Sequence, residues 1–103
     1  MAIFNPTKGS KYIKPCDYTN VIKTLECTGV TGEASWTATQ DCWLAVELQG
    51  GSYTSYLYLN DLVVCRSTST TNASNHAPAV YVVRGTKIKI MGKANLTAYG
   101  CIV

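Results

Sequence analysis

The chain has 103 residues, of which 47% are apolar, and its nine basic and six acidic residues give a formal net charge of +3. This length suits one domain with a modest core. The charges form no dense basic stripe of the kind that binds nucleic acids, and no apolar run approaches the ~20 residues of a membrane span, so we expect neither nucleic-acid binding nor membrane insertion.

The first part of the chain, residues 1–20, has no hydrophobic period and contains Pro6, Gly9, Pro15 and several lysines. This composition predicts an irregular N-terminal arm, followed by a β-sandwich domain over residues 21–103. The opening residues lack the charged and apolar regions of a signal peptide, which indicates synthesis in the cytoplasm.

Three strand-like segments follow the arm, with a glycine-containing turn cluster at residues 29–32 after the first of them. They cover residues 21–28, 34–39 and 42–49. The third segment alternates with a period of two, which places Leu44, Val46 and Leu48 on one face. We expect this face to point into the core.

The second half of the chain predicts two hairpins and a final strand. Residues 56–66 form two strands around an Asn60-Asp61 turn. Residues 79–91 form two more around Arg84-Gly85, with Ile88 and Ile90 facing inward. The apolar run 96–103 is the last strand.

Between the two hairpins lies a polar run, residues 67–76, that is rich in Ser, Thr and Asn and has no periodicity. Runs of this kind are typical of surface connections. We therefore expect residues 67–77 to be an exposed loop.

These segments amount to about eight short strands at intervals of about 8 to 12 residues, with no helical period. An immunoglobulin domain would show a Cys, Trp, Cys spacing that is missing here. The sequence therefore predicts an all-β, jelly-roll-like β-sandwich of about eight short antiparallel strands.

The chain contains five cysteines, an odd number without any C-x-x-C spacing. Zinc needs four clustered ligands, so we expect no metal site. Cys27, Cys42, Cys65 and Cys101 lie in apolar runs and are interpreted as free, buried side chains rather than a disulfide framework. Cys16, in the arm, is expected to be the most accessible.

No arrangement of residues predicts catalysis. His76 is the single histidine and lies in the polar run, beside no nucleophile with an orienting acid. The carboxylates are scattered along the chain, so no glycosidase pair is visible. We expect no enzymatic activity and no cofactor.

Four segments carry a resemblance to a known family: residues 36–44, 56–61, 82–90 and 99–101. Their order of turns and strands resembles the head domains at the ends of bacteriophage tail fibres and related virion appendages, over residues 34–103. In that pattern, an Asp before the first core strand caps a turn. The chain departs from the pattern at Cys42 and Asp61, where Gly is usual, and at Thr86, where Asp is usual.

The resemblance implies a tumour-necrosis-factor-like jelly roll that forms a homotrimer and is exposed on a virion. Seven Tyr and two Trp fit an interface, although Tyr is also simply a good strand residue. We name Trp43, Tyr56, Tyr58 and Tyr99 as candidates for the trimer interface.

Two functions remain open under this resemblance. The first is a structural one, a head-fibre, decoration or tail-appendage module that docks on a larger virion protein through its N-terminal arm. The second is a receptor-binding tip domain that grips a host surface glycan. The candidate glycan-binding residues are Tyr53, Tyr56, Asn72, Asn75 and His76.

Overall fold

The computed structural model describes residues 13–49, 54–67 and 74–102, and for residues 74–78 it describes the backbone only. This part of the chain contains strands and no helix. The strands are β1 (Cys16–Cys27), β2 (Glu33–Thr37), β3 (Cys42–Gln49), β4 (Ser55–Leu59), β5 (Leu62–Ser67), β6 (Ser74–Val82), β7 (Lys87–Met91) and β8 (Lys93–Cys101).

The strands form two four-stranded sheets. Sheet A has the order β1-β8-β3-β6, and sheet B has the order β2-β7-β4-β5. Every neighbouring pair is antiparallel, and the first strand pairs with the last, the second with the seventh, the third with the sixth and the fourth with the fifth. This is one long hairpin folded over on itself, which is the topology of a jelly roll. The predicted jelly-roll-like sandwich is confirmed.

The core lies between the two sheets, because alternate residues of each strand point inward. On β3, Leu44, Val46 and Leu48 are buried as predicted. On β7, Ile88 and Ile90 are buried as predicted. Each such aliphatic side chain contributes about 1.5 to 3 kcal/mol when it leaves water, so the two sheets are held together mainly by these contacts.

The predicted Asn60-Asp61 turn is confirmed. Both residues adopt positive φ, 50° at Asn60 and 68° at Asp61, as a two-residue hairpin turn requires. The Lys87 backbone N–H donates to Asn60 Oδ1 (2.9 Å), and the Asn60 N–H donates to the Lys87 carbonyl (2.8 Å). The turn is therefore fixed to the start of β7.

The first strand begins earlier than predicted, at Cys16 rather than Val21. Its start pairs with the end of β8, Cys16 opposite Cys101, and the register shifts on either side of Val21. The prediction was wrong here because it relied on side-chain period, whereas a backbone partner alone can hold a segment in a sheet.

Both ends of the predicted loop over residues 67–77 belong to strands. Ser67 is buried at the end of β5, and β6 already begins at Ser74, with Asn75 opposite Leu48 and His76 opposite Glu47 on β3. The prediction of a loop over residues 67–77 was wrong at both ends. The edge position of β6 accounts for this, since an edge strand tolerates polar residues that a central strand does not.

The cysteines differ from the prediction in their exposure. All five are free, but only Cys27 and Cys42 are buried, whereas Cys65 and Cys101 are half-buried. Cys16 is also half-buried, because it lies in β1 and not in the arm. Cys101 is less buried than predicted because it lies on the outer face of sheet A, next to Tyr99 in the alternation of β8.

Candidate functional site

Four aromatic side chains form a row across the outer face of sheet A, one from each strand. Trp43 on β3 lies opposite Tyr99 on β8 and opposite Tyr81 on β6. The Trp43 and Tyr81 rings meet edge to face, with centroids 5.3 Å apart, and Tyr18 on β1 meets Tyr99 at the same distance. We call these four residues the aromatic row.

Two polar groups of the row, those of Trp43 and Tyr81, are held by the protein itself. The Trp43 Nε1–H donates to the Lys14 carbonyl (2.7 Å), and the Tyr81 hydroxyl donates to Asp41 Oδ2 (3.2 Å). Burial, together with the negative charge of Asp41, raises the pKa of Tyr81 to about 12. These bonds fix the Trp43 and Tyr81 rings, so this half of the row is preorganised.

Asp41 also holds the adjacent turn. Its Oδ1 accepts a hydrogen bond from the Arg84 backbone N–H (2.9 Å), and Gly85 completes the turn with a φ of 91°. Asp41, which precedes β3, thus binds the turn between β6 and β7, far from it in sequence.

One end of the row is open to solvent. Tyr18 is 69% exposed, and the neighbouring Val21, which lies opposite Tyr99, is 53% exposed. Tyr18 and Val21 thus form an exposed apolar area beside the half-buried aromatic rings. Another molecule can cover such an area.

A second apolar surface lies at the edge of sheet B. β5 is the last strand of that sheet, and its first three residues are exposed: Leu62 by 69%, and Val63 and Val64 by 50% each. We call Leu62, Val63 and Val64 the apolar edge. Exposed edge strands pair readily with other chains, and soluble proteins usually protect them with charge or Pro. These three positions carry neither.

The outer face of sheet B carries a tyrosine pair beside a cavity. The Tyr56 and Tyr58 rings are 5.7 Å apart, and Lys89 Nζ lies 4.5 Å from the centre of the Tyr58 ring. The cavity next to Lys89 has a volume of about 430 Å³. Its lining combines hydroxyls, two ammonium groups and one carboxylate, from Ser35, Trp36, Thr37, Asp61, Lys87, Ile88 and Lys89. Such groups suit a hydroxyl-rich ligand.

A further cavity, of about 320 Å³, lies at the end of the sandwich where β8 finishes. Lys14 and Arg84 line it together with Asp41, Cys101 and Ile102, and with the polar residues Thr39 and Gln40. In the part of the chain that the structure describes, no group of three His, Cys, Asp or Glu side chains could hold a metal ion. The same residues include no helix capable of crossing a membrane.

The predicted interface residues do not form one surface. Trp43 and Tyr99 lie together on sheet A, whereas Tyr56 and Tyr58 lie together on sheet B. The two pairs are on opposite outer faces of the sandwich. Which face a strand residue occupies follows from parity, but which sheet it belongs to depends on topology that the sequence does not reveal.

The predicted glycan-binding residues are also divided. Tyr56 lies on sheet B, and the backbones of Asn75 and His76 lie on sheet A in β6. Tyr53 and Asn72 fall outside the described residues.

Sequence analysis missed Tyr18, Tyr81, Lys89 and the apolar edge. Tyr81 and Lys89 alternate with core residues in their strands, and this signal places them on an outer face. The partners that turn them into a site come from strands distant in sequence.

No protein-family model and no curated protein matches the chain. Among solved structures, the chain is similar to a cycloisomaltooligosaccharide glucanotransferase from Paenibacillus sp., solved in complex with cycloisomaltoheptaose, with 17% sequence identity and a TM-score of 0.34. The similarity covers 69% of this chain and 13% of that one. A likeness this distant carries no inference about function.

Proposed function

We propose that this chain is a non-enzymatic bacteriophage virion protein: a small trimeric head-fibre, decoration or tail-appendage module that docks on the particle through its N-terminal arm. It is made in the host cytoplasm and exposed on the assembled virion. The observation that carries the proposal is the apolar surface that the protein's own core leaves uncovered, namely the open end of the aromatic row, at Tyr18 and Val21, and the apolar edge. Surfaces of this kind mark protein interfaces.

The positions of the two surfaces suit a ring of three copies. In a cyclic trimer each copy presents two different surfaces, one to each neighbour. Opposite faces of a sandwich would stack copies in a line, because they point in opposite directions. A sheet edge and a sheet face lie at an angle to each other, so the apolar edge of one copy can pack on the aromatic row of the next and close a ring.

This arrangement changes the interface that the sequence predicted. Trp43 and Tyr99 stay in the proposed interface, together with Tyr18 and Tyr81. Tyr56 and Tyr58 leave it, because they lie on the other sheet. A domain of 11.2 kDa has a small core, and burying these two surfaces between copies would add to its stability.

The test compares two charge-adding double variants. Leu62→Lys with Val64→Lys places two charges on the apolar edge, and Val30→Lys with Val83→Lys places two on residues of matching exposure (71% and 50%) outside both surfaces. At micromolar concentration, sedimentation should show a trimer for the unmodified protein and the control, and a monomer for the edge variant. A monomeric unmodified protein, or an edge variant that remains trimeric, would contradict the proposed interface.

The second candidate function is a receptor-binding tip domain for a host surface glycan, and one observation favours it. The Tyr56 and Tyr58 rings lie beside Lys89 and the cavity on sheet B. Sugar faces stack on such rings while sugar hydroxyls pair with charged and polar groups.

Host attachment distinguishes this function from the structural one. Tyr58→Ala should abolish attachment of purified protein to host cells, whereas Tyr58→Phe, which keeps the ring, should preserve it. Both variants should remain trimeric, because Tyr58 is outside the proposed interface. If Tyr58→Ala binds cells as the unmodified protein does, the sheet B surface is not the receptor site.

A further inference from the structure

Two cysteines that are far apart in sequence face each other on sheet A. Cys16 is the first residue of β1, Cys101 is the last residue of β8, and the two are direct partners in the antiparallel register. Side chains of directly opposed residues lie on the same face of the sheet. The two thiols are therefore neighbours.

The hydrogen bonding identifies the kind of pair. The Ile102 N–H donates to the Pro15 carbonyl (2.8 Å), and these residues flank Cys101 and Cys16 on the outside. A pair bracketed in this way is a non-hydrogen-bonded pair, in which the Cα atoms are about 4.5 Å apart and the side chains approach most closely. Disulfides form at Cα separations of about 4.4 to 6.8 Å. The separation typical of a non-hydrogen-bonded pair therefore lies within the range that a disulfide needs.

The other three cysteines are placed less favourably. Cys27 and Cys42 are buried, and burial raises the pKa of Cys42 to about 11, so its thiolate is scarce near neutral pH. Cys65 lies on β5 of the other sheet. Cys16 and Cys101 are both half-buried, so a small reagent can reach them.

The surroundings of the pair affect its rate of reaction. Burial raises the pKa of both thiols. For Cys16, a hydrogen bond with Tyr18 lowers the pKa, and the carboxylate of Asp17 raises it to a smaller extent. For Cys101, the carboxylate of Asp41 raises the pKa further, and the ammonium group of Lys14 lowers it. Oxidation should therefore accelerate as the pH rises, because the thiolate is the reacting form.

We propose that Cys16 and Cys101 form a redox-controlled, cross-strand disulfide that joins the first and last strands of the sandwich. The oxidant is a small-molecule disulfide. One thiolate attacks it, forming a mixed disulfide and releasing one small thiol, and the second cysteine then attacks the mixed disulfide and releases the other. The protein loses two protons and two electrons, and the small disulfide becomes two thiols.

The bond would enclose nearly the whole described chain in one loop. A crosslink that closes a long loop restricts the unfolded chain more than one that closes a short loop. The disulfide should therefore raise the stability of the fold. It should also keep β1, an edge strand of sheet A, from separating from β8. This inference does not depend on the virion function or on the trimer.

The experiment exposes the reduced protein to oxidised glutathione and follows intact mass, peptide map and melting temperature. We expect a mass loss of two hydrogen atoms, a single crosslinked peptide pair containing Cys16 and Cys101, and a rise in the melting temperature. Cys16→Ser and Cys101→Ser should each abolish the mass loss and the rise. Cys65→Ser, which alters another half-buried thiol, should preserve both.

Three outcomes would overturn the proposal. The first is stable addition of glutathione to Cys16 and Cys101 without a crosslink. The second is a crosslink that maps to a different pair of cysteines. The third is a crosslink between two chains rather than within one, which a gel without reductant would reveal.

Discussion

Asp41 connects three parts of the molecule through separate atoms. Its carboxylate accepts hydrogen bonds from the Tyr81 hydroxyl and from the Arg84 backbone N–H. Its backbone carbonyl accepts a hydrogen bond from the Cys101 thiol, with the sulfur 3.6 Å from the oxygen. The residue thereby ties the aromatic row to the turn before β7 and to the end of β8. An Asp before a core strand could be predicted from the sequence as a turn cap, but its contact with Tyr81 could not, because those residues belong to different strands.

The first prediction concerns the titration of Tyr81. Its pKa is raised to about 12, first by burial and second by the Asp41 charge. Asp41→Asn removes the charge and keeps the burial, so the pKa of Tyr81 should fall part of the way toward 10. Ultraviolet absorption of tyrosinate during a pH titration measures this, and Tyr81→Phe identifies which step belongs to Tyr81. An unchanged step in Asp41→Asn would show that Asp41 does not influence the hydroxyl.

The same shift has a consequence for stability at high pH. Because the pKa of Tyr81 is higher in the folded state than in the unfolded chain, the neutral hydroxyl favours folding below about pH 10, and this contribution is lost as the pH rises toward about 12. Tyr81→Phe removes the ionisable group. Its stability should therefore decline less steeply over this window than that of the unmodified protein.

The strands and turns differ in how well the sequence predicts them. β3 and the Asn60-Asp61 turn were predicted correctly because each is encoded locally, by alternation and by residues that accept positive φ. The start of β1 and the start of β6 were missed. These segments are held by backbone partners on β8 and β3, and partners distant in sequence leave no periodic signal.

At the scale of the hairpin, a further prediction separates two contributions of Asn60 to stability, its side-chain hydrogen bond and its positive φ. Asn60→Ala loses the hydrogen bond to the Lys87 N–H and places a Cβ-bearing residue without a polar side chain at a φ of 50°. The expected loss is about 2 kcal/mol, from the left-handed conformation and the missing bond together.

Asn60→Gly is the matched control for this variant. It also loses the side-chain bond but accepts positive φ freely, so its loss of stability should be about half as large. Urea unfolding of the two variants measures the difference. Equal losses would mean that the backbone conformation costs nothing at this position.

For the whole molecule, the pairing of β1 with β8 brings the two ends of the described chain together. Pro15 and Ile102 are joined by a hydrogen bond, next to the cavity lined by Lys14 and Arg84. The turns at 60–61 and 84–85 lie at this same end, because Asn60 bonds Lys87 and Arg84 bonds Asp41. β3 and β5 finish at the opposite end of the sandwich. A protein tethered by its N-terminal arm would therefore point the ends of these two strands away from the particle.

The last prediction tests this tether by truncation at two places. Deleting residues 1–12 leaves β1 intact, so the melting temperature and the trimer should be unchanged while incorporation into particles is lost. Deleting residues 1–20 also removes the start of β1, with the Cys16 pairing and the contact of Tyr18 with Tyr99. An aromatic pair alone contributes about 0.5 to 1.5 kcal/mol beyond its buried area, so this longer deletion should lower stability measurably in denaturant. Particle incorporation of the shorter truncation at the level of the full chain would show that docking does not use the arm.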